Sequence, residues 1–344
     1  MSVEAVKWRR SLEVLGYTTY TVAGSGPVDV TVTGLAIGAD DGPTHDEVAD
    51  ALDRADLVVV ENLCSLPLNP IAGEVVAKVI AGRPALLHHH DLPWQRPRFA
   101  RHAPPPDDPR WRHVTINELS RQELASRGIE ATTVYNSFVV PAADSGTPVP
   151  GPPRDEATDA LRSALGIGTD DCLVLQATRA LDRKNVSGGL AATERLGATF
   201  WLLGPAEDGY GPELDRVVSG ASCPVVLGVP DAIRGGTGPG GSLGIDDAYR
   251  MSDVVALPST WEGFGNPSIE SATHRRPLVI GPYPVAAELA AFGFEWFGLD
   301  EVDRLEAWLA DPDLGLLERN LEVARAHFSL DDLPRKIAAV LPGI

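Results

Sequence analysis

The sequence predicts an α/β protein made of two doubly wound parallel sheets, and three observations carry that expectation. The chain has 344 residues, about twice the ~150 residues of an ordinary domain. Short β-branched apolar runs alternate with longer stretches of helical period in both halves. A proline-rich segment, Pro141 to Pro153, separates the halves. Hydrophobic residues at 44% and charged residues at 22% are ordinary globular values and exclude wholesale disorder.

In the first half, strands are expected over Asp56–Glu61, Ala85–His89, Arg112–Ile116 and Thr132–Tyr135. In the second they are expected over Cys172–Ala177, Thr199–Leu203, Pro224–Gly228, Asp253–Leu257 and Pro277–Ile280. Near-continuous apolar strands joined by helical crossovers are what a parallel sheet covered on both faces requires. Pro141 to Pro153 holds five prolines with Gly146 and Gly151 and lacks the donors of a central strand. It sets the expected boundary: residues 1–150 form an amino-terminal domain and 151–327 a carboxy-terminal one. The alternative is a long surface loop within one domain. Gly235 to Gly244 packs six glycines into ten residues, but without a Gly-Lys-Ser/Thr ending it is not a phosphate-binding P-loop.

Lys and Arg total 29 against 48 Asp and Glu, a formal charge of -19, which argues against nucleic acid as a partner. Four of those cations are lysines, Lys7, Lys78, Lys184 and Lys336, so Lys184 is conspicuous in its loop. No stretch approaches ~18 consecutive apolar residues, and the charged amino terminus lacks the apolar run of an export signal. Cys64, Cys172 and Cys223 stand far apart, fitting neither a disulfide framework nor a zinc site. A cytoplasmic location is expected.

The most informative stretch runs from Asp253 to Glu270: a strand, the turn Glu262-Gly263-Phe264-Gly265-Asn266, and a helix beginning near Pro267. Gly263 and Gly265 let the backbone approach a ligand, and a following helix directs unpaired amides and a positive dipole end outward, which suits a diphosphate. Glu262, at a strand's carboxyl end, and Glu270, expected in the first helical turn, can accept hydrogen bonds from sugar and ribose hydroxyls. The plainer alternative is an ordinary strand-to-helix turn with a dipole-favoured glutamate. Arg179 and Lys184 lie on the loop after another strand, where a planar fork and a point charge can straddle a diphosphate. Otherwise they are solvated loop charges or partners of Asp182. His88-His89-His90-Asp91 closes a third strand, alternation placing His88 and His90 on one face. A metal there would need a further ligand from elsewhere, so no metal site is expected. Trp94 can stack on a sugar, and Arg96 or Arg98 can meet an acceptor's anionic group.

Together the Glu262-to-Glu270 string, the Arg179/Lys184 pair, His90-Asp91 and Asn136 resemble the retaining glycosyltransferases of family 4, over most of the chain. The resemblance implies a GT-B fold, two Rossmann-like domains facing a central cleft, with a last helix, 328–344, crossing back to the first domain. It implies an enzyme, a retaining hexosyltransferase using a UDP- or GDP-linked sugar, with no cofactor or metal required. Arg179, Lys184, Glu262 and His90 would be catalytic. Gly263, Phe264, Gly265, Asn266, Pro267, Glu270, Gly204 and Val229 would bind the donor. Trp94, Arg96 and Arg98 would serve the acceptor, a small molecule or glycan. The one Asp-x-Asp, Asp311-Pro-Asp313, is read as a structural turn.

There is one departure from the family pattern. Its members open with a strand and a Gly-rich loop, whereas this sequence opens on the expected helix Val3 to Leu15. A late start, a trimmed chain or a branch that dispenses with the strand would each account for it. The stripe Ala5, Trp8, Leu12 and Leu15 with Lys7, Arg9 and Arg10 beside it suits either core packing or a membrane surface, core packing being preferred. Two competing functions follow: a nucleotide-sugar-binding protein without transferase activity, and an epimerase or phosphorylase on the same fold.

Overall fold

The computed structural model describes residues 3–142, 156–229 and 244–342. Most of the proline-rich segment and all but the last residue of the glycine-rich segment lie outside these ranges. The chain divides into two compact units, Met1–Ser137 with Leu330–Ile344, and Phe138–Ser329. At the point of division the Phe138 amide donates to the Phe328 carbonyl at 2.7 Å.

In the first unit, β1 (Val22–Ala23) and β2 (Val30–Thr31) form a small parallel ribbon of their own. The main sheet is four parallel strands in the order β3 (Val58–Glu61), β4 (Ala85–His89), β5 (Trp111–Thr115) and β6 (Ala131–Thr133). Every residue of β4 is buried, so both its faces need cover. Ala85 and Leu87 pack with Val48, Val76 and Ile80. Leu86, on the opposite face, packs with Trp8 and Leu12 of the helix Val3–Val14 and with Leu333 and Ile337 of the helix Leu333–Ala338. The amino-terminal stripe is thus spent on the core. No helix among the described residues is long and apolar enough to cross a membrane.

The second unit is a six-stranded parallel sheet built from β7 (Leu173–Gln176), β8 (Thr199–Leu202), β9 (Val225–Leu227), β10 (Val254–Leu257), β11 (Leu278–Ile280) and β12 (Phe297–Gly298). Its order is β12-β11-β10-β7-β8-β9. The chain therefore winds outward from β7 to β9, returns to the other side of β7 as β10, and winds away again. The direction of winding reverses between β7 and β10, and the crevice at the carboxyl ends of such a strand pair is where ligands of open α/β sheets bind. The expected strands are found to within two residues at each end. β1, β2 and β12 were not expected, because a two-residue strand is too short to show alternation.

Period two places His88 on the Leu86 face and His89 on the Leu87 face. His89 heads a buried chain of polar groups. Its Nδ1 bonds Ser65 Oγ, its Nε2 lies 2.8 Å from His113 Nδ1, and His113 Nε2 lies 3.1 Å from Asp107. Burial pushes both imidazoles below their ordinary range, His89 the further, where neighbouring histidines add to it, while Asp107 partly offsets the effect at His113. Both are neutral in the folded state at neutral pH, whereas the unfolded chain takes up protons below ~6.5. Their contribution to stability is complete above that value and is lost as pH falls toward the depressed folded values. In thermal melts at pH 7.5 and 5.5, His113→Asn is expected to lose less stability on acidification than the wild type. An equal loss in both proteins would show that this chain does not carry the acid sensitivity.

Candidate active site

The loops after β7 and β10 meet through a buried ion pair. Lys184 Nζ donates to Glu262 Oε1 at 2.5 Å, Ser259 Oγ donates to the same oxygen at 2.6 Å, and Arg183 Nη1 lies 3.3 Å from Oε2. Lys184 and Glu262 are both buried. Burial presses the Lys184 ammonium down; Glu262 opposes this and Arg183 adds to it.

Local chemistry explains why the β7 loop reaches that point. Asn185 adopts a left-handed conformation at φ 47° and caps the helix Val186–Arg195, its Oδ1 accepting from the Gly188 amide. Its Nδ2 donates to the Pro258 carbonyl, while Gln176 Nε2 donates to the Lys184 carbonyl and the Thr260 amide to the Arg183 carbonyl. Main chain and side chains thus clip the two loops together before any ligand arrives.

Beyond Glu262 the chain turns through Gly265, at φ 92°, into the helix Asn266–Thr273. A Cβ at Gly265 would sit 2.1 Å from Tyr283 Oη, so both conformation and space demand glycine. Tyr283 Oη also donates to the Phe264 carbonyl at 3.3 Å. The Phe264 ring is buried between Phe138 and Phe328, so this residue presents its backbone to the crevice. The helix starts one residue earlier than expected, at Asn266, with Pro267 in its second position. Glu270 therefore lies just past the first turn, where Tyr249 Oη donates to its Oε2 at 2.6 Å.

Arg179 is half-exposed and bonds Glu207 at 2.6 Å, not Asp182. Gly204 lies against the β7 loop, its amide donating to the Thr178 carbonyl, and a Cβ there would fall 2.8 Å from the Arg179 amide. Val229 follows Gly228, whose carbonyl accepts from the Trp201 indole and whose amide donates to Leu202. Asp313 caps the helix Leu314–Phe328 through the Gly315 amide and pairs with Arg319, a structural use of the Asp-x-Asp.

In the first unit, the ends of β3 and β4 bring Glu61, His88 and His90 together. Glu61 Oε2 lies 3.0 Å from His88 Nδ1 and 2.8 Å from His90 Nε2. Trp8 covers His88 with ring centroids 4.3 Å apart. The residues expected to serve an acceptor are already engaged by neighbours within the first unit. Arg127 lies over the Trp94 ring at 3.6 Å and Glu123 accepts from its indole, Arg96 pairs with Asp91 at 2.6 Å, and Arg98 lies over Phe99. Trp94 thus has one face covered already.

Sequence reading missed Arg183, Ser259, Glu61, Tyr249 and Tyr283. Arg183 stands beside Lys184 and was legible as a third cation on the loop. Ser259 lies three residues before Glu262, while Glu61, Tyr249 and Tyr283 declare themselves only through partners distant in sequence.

No family model matches the chain. A mannosylglucosylglycerate synthase of Thermotoga maritima is 25% identical over 420 residues, spanning 97% of this chain and 94% of that protein. Among solved structures, a glycosyltransferase from Rickettsia africae superposes with a TM-score of 0.68 at 13% identity, covering 98% of this chain and 93% of the other. HepE of Anabaena, solved with UDP-glucose, gives 0.64 at 17% identity over 87% of this chain and 81% of the other. The chain has the GT-B glycosyltransferase fold. In a GT-B glycosyltransferase scaffold of this geometry, Gly265→Ala must strain the backbone and displace Tyr283. It is expected to cost at least about 1–3 kcal/mol in chemical denaturation. An unchanged unfolding midpoint would show that the turn adapts freely.

Proposed function

We propose that this protein is a retaining glycosyltransferase, moving a hexose from a UDP- or GDP-linked sugar to a small glycosidic acceptor without a divalent metal. The observation that carries this reading is the meeting of Lys184, Arg183 and Glu262 at the crevice between β7 and β10, beside the Gly265 turn and its helix end.

Breaking the bond between sugar and phosphate puts negative charge on the leaving diphosphate and oxocarbenium character on the sugar. Cations and amides fixed in advance stabilise that charge without reorganising. Lys184 gives one of its three N–H donors to Glu262, leaving two directions for phosphate oxygens. Arg179 is held by an exposed pair with Glu207, an interaction worth ~0–1 kcal/mol. Exchanging that partner for a diphosphate, at ~1.5–3 kcal/mol for a charged hydrogen bond, is favourable. The Gly263–Pro267 backbone adds amides at a helix end, Glu262 accepts from the donor sugar, and Glu270, steadied by Tyr249, accepts from the ribose. Gly204 and Val229 offer backbone groups to the nucleoside. His90 is assigned to the reaction by the family resemblance. The leaving phosphate itself takes the acceptor proton in a front-side attack, so the configuration is retained.

Because side chains and backbone meet the diphosphate charge, no metal is needed to do so. The name of the Thermotoga relative joins mannosyl, glucosyl and glycerate parts, which makes a glycoside of a small hydroxy acid the first acceptor to try. A nucleotide-sugar donor and the proposed cytoplasmic location agree.

Thermal-shift titration against UDP, GDP and ADP sugars is the direct test, since a ligand at 100 times its Kd stabilises the folded state by ~2.7 kcal/mol. One nucleotide sugar is expected to raise the melting temperature, and no shift with any of them would end the reading. With the donor in hand, Lys184→Ala is expected to lower kcat/KM by about ten- to 150-fold, the loss of one charged contact. Wild-type turnover by that variant would remove Lys184 from the mechanism. Binding of the donor without transfer to any acceptor would instead mark a binding protein.

A further inference from the structure

His90 is gripped twice by consecutive residues of one strand end. Glu61 Oε2 meets its Nε2 at 2.8 Å, and Asn62 Oδ1 accepts from its backbone amide at 3.0 Å and from that of Asp91 at 3.2 Å. Asn62 adopts a left-handed conformation, φ 59°, to present that oxygen. An arrangement that fixes backbone and ring together from two adjacent side chains goes beyond what packing a surface loop requires.

The surroundings favour positive charge on the ring. Facing it are Glu61 from β3, His88 from its own strand, Glu4 from the amino-terminal helix and Asp91 from its own loop. Lys7 pairs with Glu4 and Arg96 with Asp91, so Glu61 is the carboxylate closest to His90 without a cation of its own. Burial opposes the imidazolium, but the hydrogen bond and charge of Glu61, together with the charges of Glu4 and Asp91, outweigh it, and His90 is raised above its ordinary value. Against its own burial, Glu61 is held down at about 2 by His88 first and His90 second.

We infer that Glu61 is a positioning residue whose carboxylate orients the His90 ring and stabilises it as an imidazolium for the transfer reaction. This rests on the reading that His90 serves that reaction. A divalent metal is the competing occupant, since Glu61 Oε2, His88 Nδ1 and His90 Nε2 lie 2.8–3.3 Å apart. Metal-bound histidines give their second N–H to an acceptor. His88 Nε2, under Trp8, is buried without a hydrogen-bond partner. Coordination through Nδ1 would strand that N–H, whereas in a hydrogen bond from Nδ1–H to Glu61 the Nε2 is a bare nitrogen. The protonic couple is therefore the better occupant.

The sign of the pH effect follows from the charge. His90 is active when protonated, so activity falls as pH rises through its folded value. Removing the Glu61 charge lowers that value and moves the fall to lower pH. The test is Glu61→Gln, which keeps shape and removes charge, with His90→Gln assigning the resonance in NMR titrations of the full-length histidine-labelled chain. His90 is expected to titrate above ~6.5 in the wild type and about 1–3 pH units lower in Glu61→Gln. The alkaline limb of kcat/KM should move by the same amount. A His90 value unchanged by Glu61→Gln would overturn the inference, as would stoichiometric zinc or manganese in the purified wild type that Glu61→Gln lacks. If Glu61→Gln does not fold, a wild-type His90 titrating below ~6.5 overturns it equally. If His90 shifts as expected and the kcat/KM profile does not move, the Glu61–His90 coupling stands and the reading of His90 as a reaction group falls, taking its imidazolium role with it.

Discussion

The second unit is organised around one contact, the buried pair of Lys184 and Glu262. Burying a lysine and a glutamate removes both from water, and the cost is recovered only if the geometry is good and the remaining polar atoms find partners. Here Glu262 also accepts from Ser259 and faces Arg183. Replacing such a pair with apolar residues is often neutral or stabilising, whereas removing one partner leaves a buried charge uncompensated. Its position at the carboxyl ends of neighbouring strands therefore fits a fixed charge pattern better than a gain in stability. The pair exists because β10 returns beside β7: residues 78 apart in sequence become neighbours through strand order.

Strand order also explains the division of labour between backbone and side chains. At the β10 end the turn through Gly265 is set by a missing side chain and by the phenol of Tyr283 that fills the space. At the β7 end the loop is set by Asn185, Gln176 and the Thr260 amide. Both ends are assembled before a ligand arrives, as electrostatic preorganisation requires. Tyr249 does the same for Glu270, so the polar groups of this unit already hold defined positions.

The fold was largely legible in the sequence because long apolar runs and their helical spacers repeat with little ambiguity. The Gly-Phe-Gly-Asn-Pro turn was legible for a stronger reason: each residue restricts the backbone, so the string admits few conformations. What could not be read was partnership. Arg179 reads as a cation on a useful loop, and only coordinates show it resting on Glu207. Trp94 reads as an open stacking platform, yet Arg127 from 33 positions later occupies one face. His90 was legible through its strand end, while Glu61, which sets its charge, looked like one more acidic residue in an acidic chain.

That acidity sharpens the contrast between the two polar clusters. A chain of formal charge -19 repels a dianionic diphosphate at long range, and salt damps that repulsion beyond ~8–10 Å. Attraction has to come from cations close to the ligand, in surroundings where water screens them poorly. In the proposed reading Lys184, Arg183 and Arg179, in one loop of the second unit, are the residues that supply it. In the first unit the scarce charge is an imidazolium, which costs less to bury than an ammonium because its charge is delocalised over the ring. It can exist there because a carboxylate stands against it. Each unit thus sets one glutamate against a cation, Glu262 against the buried Lys184 and Glu61 against the part-buried His90. The glutamates that tune the two clusters are as much a part of the proposed chemistry as the cations they hold.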